Sequence, residues 1–216
     1  TGNDNHAFGL RSLYYNTTGY ENNAVGSYSL YNNSSGSRNS AFGEETLKAN
    51  TTGRYNAAYG AYSMFANTTG EYNTTLGTYA LYSNTTNSDH VAVGYRALFT
   101  ANGGAQGQCV AVGGHALESM TTGYNNTAVG YNAAQAATTP TSITAIGWYA
   151  GTSVTTGAQN TYVGSSAGRS STTSDNNVCV GAGAGISMTG SGNCLIGRSA
   201  GENGTALVGE IGRAHV

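Results

Sequence analysis

Few residues of this chain are suited to metal or acid–base chemistry, and they do not recur at one position of the sequence pattern. The four histidines are His6, His90, His115 and His215. A structural zinc site needs four ligands brought together, whereas these histidines fall at different positions of the repeat described below. Asp and Glu likewise form no recurring pair placed for acid–base catalysis. We therefore predict that the chain is not an enzyme and binds neither a metal nor a cofactor.

The cysteines and one glycine-rich stretch are the remaining candidates for chemistry. Because Cys109, Cys179 and Cys194 are odd in number, at least one is unpaired within the chain. We interpret all three as buried, small apolar side chains. Residues 180–185 read Val-Gly-Ala-Gly-Ala-Gly, but they lack the Lys and the Ser or Thr of a phosphate-binding loop. The interpretation of this stretch as part of a structural repeat is therefore favoured.

The composition excludes several classes of function. Only 8% of the residues are charged and the net charge is −2, against about 25% charged residues in a typical globular domain. A nucleic-acid partner requires a basic face, so we predict none. The chain has no run of about 20 apolar residues, so we predict no membrane insertion in this segment. Its 16 tyrosines also argue against disorder, which is typical of chains with few aromatic residues.

A repeat with a period of 17 residues covers nearly the whole chain. Each unit contains an Ala or similar residue, a β-branched, aromatic or aliphatic residue, and then a glycine that we call the anchor glycine. The anchor glycines are Gly9, Gly26, Gly43, Gly60, Gly77, Gly94, Gly113, Gly130, Gly147, Gly164, Gly181 and Gly197. Subtracting neighbouring positions gives 17 in nine of the eleven intervals. We assign residues 1–209 to this repeat region, and because residue 1 falls inside a unit we expect a fragment of a longer fibre.

Two turns and short strands fit a 17-residue unit, whereas a helical pair needs about twice that length. Asn usually stands four residues before the anchor glycine, and Asn-Thr-Thr-Gly supplies a turn after it. The anchor glycine marks a second bend or a close approach of the backbone. We predict an all-β protein, a β-solenoid or β-roll of about twelve rungs stacked by backbone hydrogen bonds. Units after about residue 147 carry Ala-Gly in place of bulky residues, so we expect a narrower or tighter interior there.

So thin a coil buries little apolar surface for the entropy that folding costs. In each unit the Ala and the next, larger apolar residue point to opposite sides of a strand. We expect the larger residues to fill the interior and the Ala row to face outward. An outward apolar row is typical of an interface, which favours a homo-oligomer.

The Ala-Val-Gly-x-x-Ala-Leu units joined by Asn-Thr-Thr-Gly resemble the repeats of phage tail fibres, the type found upstream of an intramolecular chaperone domain. They are also similar to the head repeats of trimeric autotransporter adhesins, whose period is shorter. The resemblance implies a parallel homotrimer and an extracellular location, on a virion tail fibre or a bacterial cell surface. The 17-residue period favours the tail-fibre type.

Three surface features bear on what such a fibre binds. Aromatic residues follow the anchor glycine at several units, and as candidates for glycan contact they compete with ladder packing between rungs: Tyr28, Tyr62, Tyr79, Tyr95, Tyr131, Trp148 and Tyr149. The Asn-Thr-Thr and Asn-Ser-Ser triplets are either turns or glycosylation acceptors. The adjacent Thr pairs suggest an ice-binding face, although neighbours on a strand point oppositely.

We therefore predict a structural and adhesive fibre segment that presents a repeated surface to a host receptor or glycan. The alternative is a monomeric β-solenoid that binds ice or a polymer surface, or a self-assembling filament protein. Residues 210–216 are assigned to a non-repeat tail. Ile211–Val216 reads like the translation of a sequencing adapter, so we expect this tail to be an artefact.

Overall fold

The computed structural model describes residues 2–102 and 107–202 and the backbone of residues 211–213. The chain forms two compact units, residues 1–108 and 109–216. Each unit is an all-β parallel solenoid, and the two comprise about 11 turns with rungs of about 17 residues. The predicted fold class is thereby confirmed at the level of a parallel β-solenoid. Within the described residues no helix is long and apolar enough to cross a membrane.

Each rung contributes one three-residue strand, and the strands lie in chain order. The first unit contains β1 (His6–Phe8), β2 (Asn23–Val25), β3 (Ser40–Phe42), β4 (Ala57–Tyr59), β5 (Thr74–Leu76) and β6 (Val91–Val93). The second unit contains β7 (Val110–Val112), β8 (Thr127–Val129), β9 (Thr144–Ile146), β10 (Thr161–Val163), β11 (Val178–Val180), β12 (Cys194–Ile196) and β13 (Ile211–Arg213). Pairing is parallel and in register, so that Ala24 lies opposite Ala7 and Ala41.

Hydrogen bonds between rungs continue well outside these strands. In the turns of the second rung, Leu30 N–H donates to Thr46 O and Asn32 N–H to Lys48 O, both at 3.0 Å. On the other side of the same rung, Arg38 N–H donates to Tyr20 O at 3.0 Å. Most of the circumference is therefore tied to a neighbouring rung, which satisfies backbone groups that an isolated coil would leave unpaired.

The anchor glycines occupy a backbone conformation that requires glycine. Gly60 has a φ of +132°, and a Cβ added there would lie 2.6 Å from both the carbonyl carbon and the oxygen of Gly77 in the next rung. The predicted bend and close backbone approach are both present. Other positions of the rung also have positive φ without being glycine, for example Tyr62 at +59° and Met64 at +50°. Each such residue costs of order 1–2 kcal/mol, which the rung-to-rung contacts must offset.

The structure reverses the predicted orientation of the two apolar rows. The residues two before each anchor glycine, which we call the inner row, are fully buried in every strand from β2 to β12, as at Ala24, Ala58 and Ala111, and only Ala7 of the first strand is exposed. The next residue of each strand, which we call the outer row, faces out, with Phe8 77% and Leu76 56% exposed. The prediction that the larger residues fill the interior from the strand was wrong because, in the first unit, Leu and Met side chains four residues after the anchor glycines already occupy that space.

Two further rows fill most of the interior of the first unit. Leu13, Leu30, Leu47, Met64, Leu81 and Leu98, each four residues after an anchor glycine, are buried. Two sets of Asn side chains lie beside them. The first Asn row is Asn5, Asn22, Asn39, Asn56 and Asn73, and the second is Asn16, Asn33, Asn50, Asn67 and Asn84. The side chains of both rows except Asn5 and Asn16 are buried.

In the later, glycine-rich rungs, the inner row supplies side chains to space that Leu occupies in earlier rungs. Tyr162 replaces Ala in the inner row and is fully buried, with its hydroxyl bonded to Ser171 Oγ at 2.9 Å. A Cβ on Gly168 would lie 2.1 Å from the Tyr162 ring, and one on Gly151 would lie 2.8 Å from it. Glycine is needed where Leu stood in earlier rungs because a large inner-row side chain takes that space.

Residues 211–213 also differ from the expectation that the tail lies outside the repeat phase. Strand β13 pairs in parallel with β12, with Ile211 opposite Cys194 and Arg213 opposite Ile196. The preceding Leu207-Val208-Gly209 motif lies outside the described residues.

Candidate interaction surfaces

The outer row is the most continuous apolar surface in each unit. It consists of Phe8, Val25, Phe42, Tyr59, Leu76 and Val93 in the first unit and Val112, Val129, Ile146, Val163, Val180 and Ile196 in the second. All of these side chains are exposed or half-buried. Phe42 and Tyr59 stack at 5.0 Å between ring centroids, with their planes 8° apart. Because every strand is in register, the row is continuous along each unit and presents apolar groups at about 4.8 Å intervals.

A second surface carries aromatic and cationic side chains. It is formed by residues two and five after the anchor glycine of the first unit: Arg11, Tyr28, Glu45, Tyr62, Tyr79 and Arg96, and Tyr14, Tyr31, Lys48, Phe65, Tyr82 and Phe99. Tyr62 and Tyr79 stack at 5.1 Å, and Lys48 Nζ lies 5.4 Å from the ring centroids of both Tyr28 and Phe65. The alternative of ladder packing between rungs therefore holds for Tyr28, Tyr62 and Tyr79.

In the rung of Gly94, Arg96 stands where the two preceding rungs carry Tyr62 and Tyr79, whereas Phe99 stays stacked on Tyr82 at 5.2 Å. Tyr95 stands edge-on to Tyr79, with centroids 6.2 Å and planes 81° apart, and it is 50% exposed. Arg96 lies over the Phe99 ring at 4.2 Å. These four side chains line an open depression of about 280 Å³.

The predicted aromatic residues of the second unit form a separate cluster. Tyr131 and Trp148 are 48% and 53% exposed. Trp148 contacts Tyr149 at 4.2 Å between centroids, and Arg169 lies 5.2 Å over the Tyr149 ring. The structure thus divides the seven sequence-predicted residues between two surfaces, one on each unit, and leaves Tyr95, Tyr131 and Trp148 the most available to a ligand.

One exposed column that the sequence motifs did not predict lies five residues before the anchor glycines. Tyr55 and Tyr72 stack there at 4.9 Å with planes 5° apart. Arg38 precedes them, donating from Nε to Glu21 at 2.7 Å and from Nη1 to Tyr55 Oη at 2.5 Å. Those two acceptors raise the pKa of Arg38. Aligning the units on their glycines and reading every column, rather than those near the glycine, would have found this set.

Four of the five Asn residues that begin the Asn-Thr-Thr and Asn-Ser-Ser triplets are not accessible to modification. Asn50 Nδ2 donates to Asn33 Oδ1 at 2.7 Å and to Gly53 O at 3.1 Å, and Asn67 continues the ladder at 2.9 Å. Asn33, Asn50, Asn67 and Asn84 are fully buried. The turn interpretation is right, and glycosylation of these four is incompatible with the folded rungs.

The Thr pairs of these triplets sit in a turn and not on a strand. Thr17 and Thr18 are both exposed, so they do not point to opposite sides as expected. The Thr51 and Thr68 hydroxyls donate to carbonyls of the next rung at 3.0 and 2.9 Å.

The cysteines are free, and two of the three are buried as predicted. Burial raises the pKa of the Cys179 thiol to about 12, and it also raises the pKa of Cys109. Cys194 is only half-buried, so the prediction was wrong for this residue. In register, Cys179 lies opposite Leu195 in the inner row, whereas Cys194 faces the other side of the sheet.

Polar groups do not converge on a metal or catalytic centre in the described part of the chain. Residues 2–102 and 107–202 contain no group of three or more His, Cys, Asp or Glu able to hold a metal ion. His6 is exposed on β1, His90 is buried, and His115 Nδ1 lies 2.9 Å from Glu118. His215 lies outside the described residues.

Comparison with known proteins identified no relative of this chain. No protein-family model, curated protein or solved structure matches the chain.

Proposed function

We propose that this chain is a structural and adhesive segment of an extracellular homotrimeric fibre, in which three parallel copies pack through their outer rows. The observation that carries the proposal is the continuous, exposed apolar outer row on each unit. Monomeric proteins rarely expose large contiguous apolar patches, and those that occur usually mark an interface. The low net charge of −2 imposes little repulsion between identical copies placed side by side.

The outer row supplies a substantial driving force. Fully burying a Val, Leu, Ile or Phe side chain contributes about 1.5–3 kcal/mol. Phe8, Leu76, Ile146 and Ile196 are 77%, 56%, 40% and 57% exposed. Burial of these four alone would contribute several kcal/mol per copy, before counting the half-buried valines between them.

The adhesive part of the proposal rests on aromatic residues outside the outer row. The rings of Tyr95 and Trp148 are about half exposed. Beside each of them an Arg side chain lies over an adjacent aromatic ring, Arg96 over Phe99 and Arg169 over Tyr149. Aromatic faces with a polar edge suit recognition of sugar rings, since the ring covers apolar C–H groups while the edge stays hydrated. A fibre would repeat both surfaces around its circumference.

Sedimentation equilibrium of the whole chain tests the assembly. We expect a particle of three times the 22.0 kDa chain mass. Leu76→Lys combined with Ile146→Lys should convert it to monomer, because each buried charge opposes assembly. Tyr124→Lys is the matched control, since Tyr124 is 41% exposed but lies outside the outer row. A folded monomer for the unsubstituted chain would overturn the trimer.

One observation favours the alternative of a monomer that binds ice or a flat polymer. On the second unit, Thr127, Thr144 and Thr161 occupy the same outward position of consecutive strands, next to the outer row. A folded monomer that shapes ice crystals, and loses this effect on Thr144→Lys, would support that alternative. The Thr pairs of the turns are poorer candidates, because the Thr51 and Thr68 hydroxyls are already bonded within the solenoid.

A further inference from the structure

We propose that Tyr55 and Tyr72 form an oxidative cross-linking site, at which a one-electron oxidant joins the two rings as dityrosine and links neighbouring rungs covalently. The two rings are the most parallel tyrosine pair in the described residues, with centroids 4.9 Å apart and planes 5° apart. Both are open to an oxidant, at 39% and 55% exposure. Packing of the interior does not explain a phenol at either position, since both side chains lie on the surface.

In the first unit, tyrosine occupies only two positions of this column, and they are adjacent. Reading along the first unit, the column is Asp4, Glu21, Arg38, Tyr55, Tyr72 and Asp89. Each tyrosine therefore has one tyrosine neighbour in its column. Two other stacked pairs are less favourable: Tyr62 and Tyr79 are only half-exposed, and Tyr14 and Tyr31 are 5.6 Å and 14° apart.

Arg38 is the positioning residue of the site. Its Nη1 donates to Tyr55 Oη at 2.5 Å, and its Nε is anchored on Glu21 at 2.7 Å. Because the guanidinium only donates, the Tyr55 hydroxyl proton points elsewhere and is free to leave to water. The contact also holds the Tyr55 ring against Tyr72 on the opposite side from Arg38.

The chemistry needs a peroxidase and hydrogen peroxide as the oxidant. Each phenol loses one electron and one proton to give a tyrosyl radical, and the two radicals couple through a carbon ortho to each hydroxyl. The new C–C bond forms, and the two ortho hydrogens leave as protons when the rings regain aromaticity while both oxygens are reprotonated. Overall the pair loses two electrons and two protons, which convert one peroxide molecule to two waters.

The test uses the whole chain in its native state, treated with horseradish-type peroxidase and hydrogen peroxide. Cleavage after Arg and Glu separates residues 55–71 from residues 72–96, so a cross-link between Tyr55 and Tyr72 keeps them together at a mass lower by two hydrogen atoms. We expect this linked product, with dityrosine fluorescence, to be the main cross-link within one chain.

Single substitutions distinguish the pair from its neighbours. Tyr72→Phe keeps the ring stack and should lower the yield of the linked product at least threefold. Tyr59→Phe should leave the yield unchanged, because Tyr59 stacks on Phe42 and has no phenol partner. Arg38→Gln, which removes the guanidinium and its charge, should lower the yield without unfolding the chain. If Tyr72→Phe retains the linked product, the Tyr62–Tyr79 pair is responsible and the proposal is overturned; links mainly between chains would overturn it equally.

Discussion

Removing the whole second Asn row should destabilise the first unit by much less than five times the cost of removing one amide from the middle of that row. In Asn50→Ala, two buried groups lose a partner. Asn33 Oδ1 loses the 2.7 Å hydrogen bond from Asn50, and one Asn67 N–H loses its acceptor at 2.9 Å. The Gly53 carbonyl is not stranded, because Asn39 of the first Asn row also donates to it at 2.9 Å.

The magnitude follows from those two groups. A buried donor or acceptor left without a partner costs about 1–3 kcal/mol, so Asn50→Ala should lower the free energy of unfolding by about 2–6 kcal/mol. Asn16 stands at the end of the row and is only half-buried, so water can reach the groups it leaves. Asn16→Ala should therefore cost about 1 kcal/mol.

Replacing the complete row removes donors and acceptors together. In the variant with Asn16, Asn33, Asn50, Asn67 and Asn84 all changed to Val, the glycine carbonyls beneath them keep hydrogen bonds from the first Asn row, as Gly36 O does from Asn22. The second unit already uses apolar residues at this position, including the buried Met120 and Val154. Removal of both partners is often nearly neutral, so the loss should be well below five single losses.

Urea unfolding followed by far-UV circular dichroism measures these differences, taken from the midpoint and the slope. An Asn50→Ala cost no greater than that of Asn16→Ala would refute the prediction. A quintuple variant that loses the sum of its single substitutions would refute it as well, because the row would then act as five independent contacts.

Three further predictions concern other rows. Gly60→Ala should prevent folding, because its Cβ would lie 2.6 Å from the Gly77 backbone. In the control Gly183→Ala, the Cβ would meet no atom closer than 3.6 Å, so the positive φ alone should cost about 1–2 kcal/mol. Thermal melting compares the two variants. Gly168→Ala should be strongly destabilising by itself and tolerated with Tyr162→Ala, and an unchanged penalty in the double variant would exclude the volume exchange. Burial raises the pKa of Cys179 to about 12 from 9.0, so the folded state keeps a proton that the unfolded state releases. Cys179 should therefore contribute a fall in stability above pH 9 of up to about 1.4 kcal/mol per pH unit, and Cys179→Ala should make the slope shallower by that amount when the two unfolding curves are compared.

Much of the fold follows from the sequence because the repeat is close to regular. Parallel strands, rungs of about 17 residues and a close approach at the anchor glycines were all predictable, since one glycine recurs where a Cβ would strike the next rung. The direction of the two apolar rows was not. Alternation along Asn23-Ala24-Val25 states only that Ala and Val face opposite sides, and the width of the interior decides which one is buried.

The candidate surfaces were predictable in part for a related reason. The repeat motif pointed to the aromatic residues that follow the anchor glycine. Tyr55 and Tyr72 instead lie five residues before their glycines, next to the buried first Asn row. The Asn residues of the turns were read correctly as turn formers, but a single sequence motif does not reveal that Asn33 and Asn50 bond to each other across rungs. Such contacts appear only when residues 17 apart are considered as neighbours.

The interior and the surface of this solenoid are constrained very differently, and this bears on where its function lies. The same rung accepts an amide ladder in the first unit and Met120 or Val154 at the equivalent position in the second, or a Leu in one row in exchange for a Tyr in another. What the rung does require is a glycine at the bend, a filled interior and satisfied backbone groups. None of these requirements applies to the outer row or the Tyr55–Tyr72 column, where Phe, Lys or Ser would be equally compatible with the fold. Exposed Phe, Leu and Ile on one face, and paired phenols on another, are therefore best explained by what those faces contact.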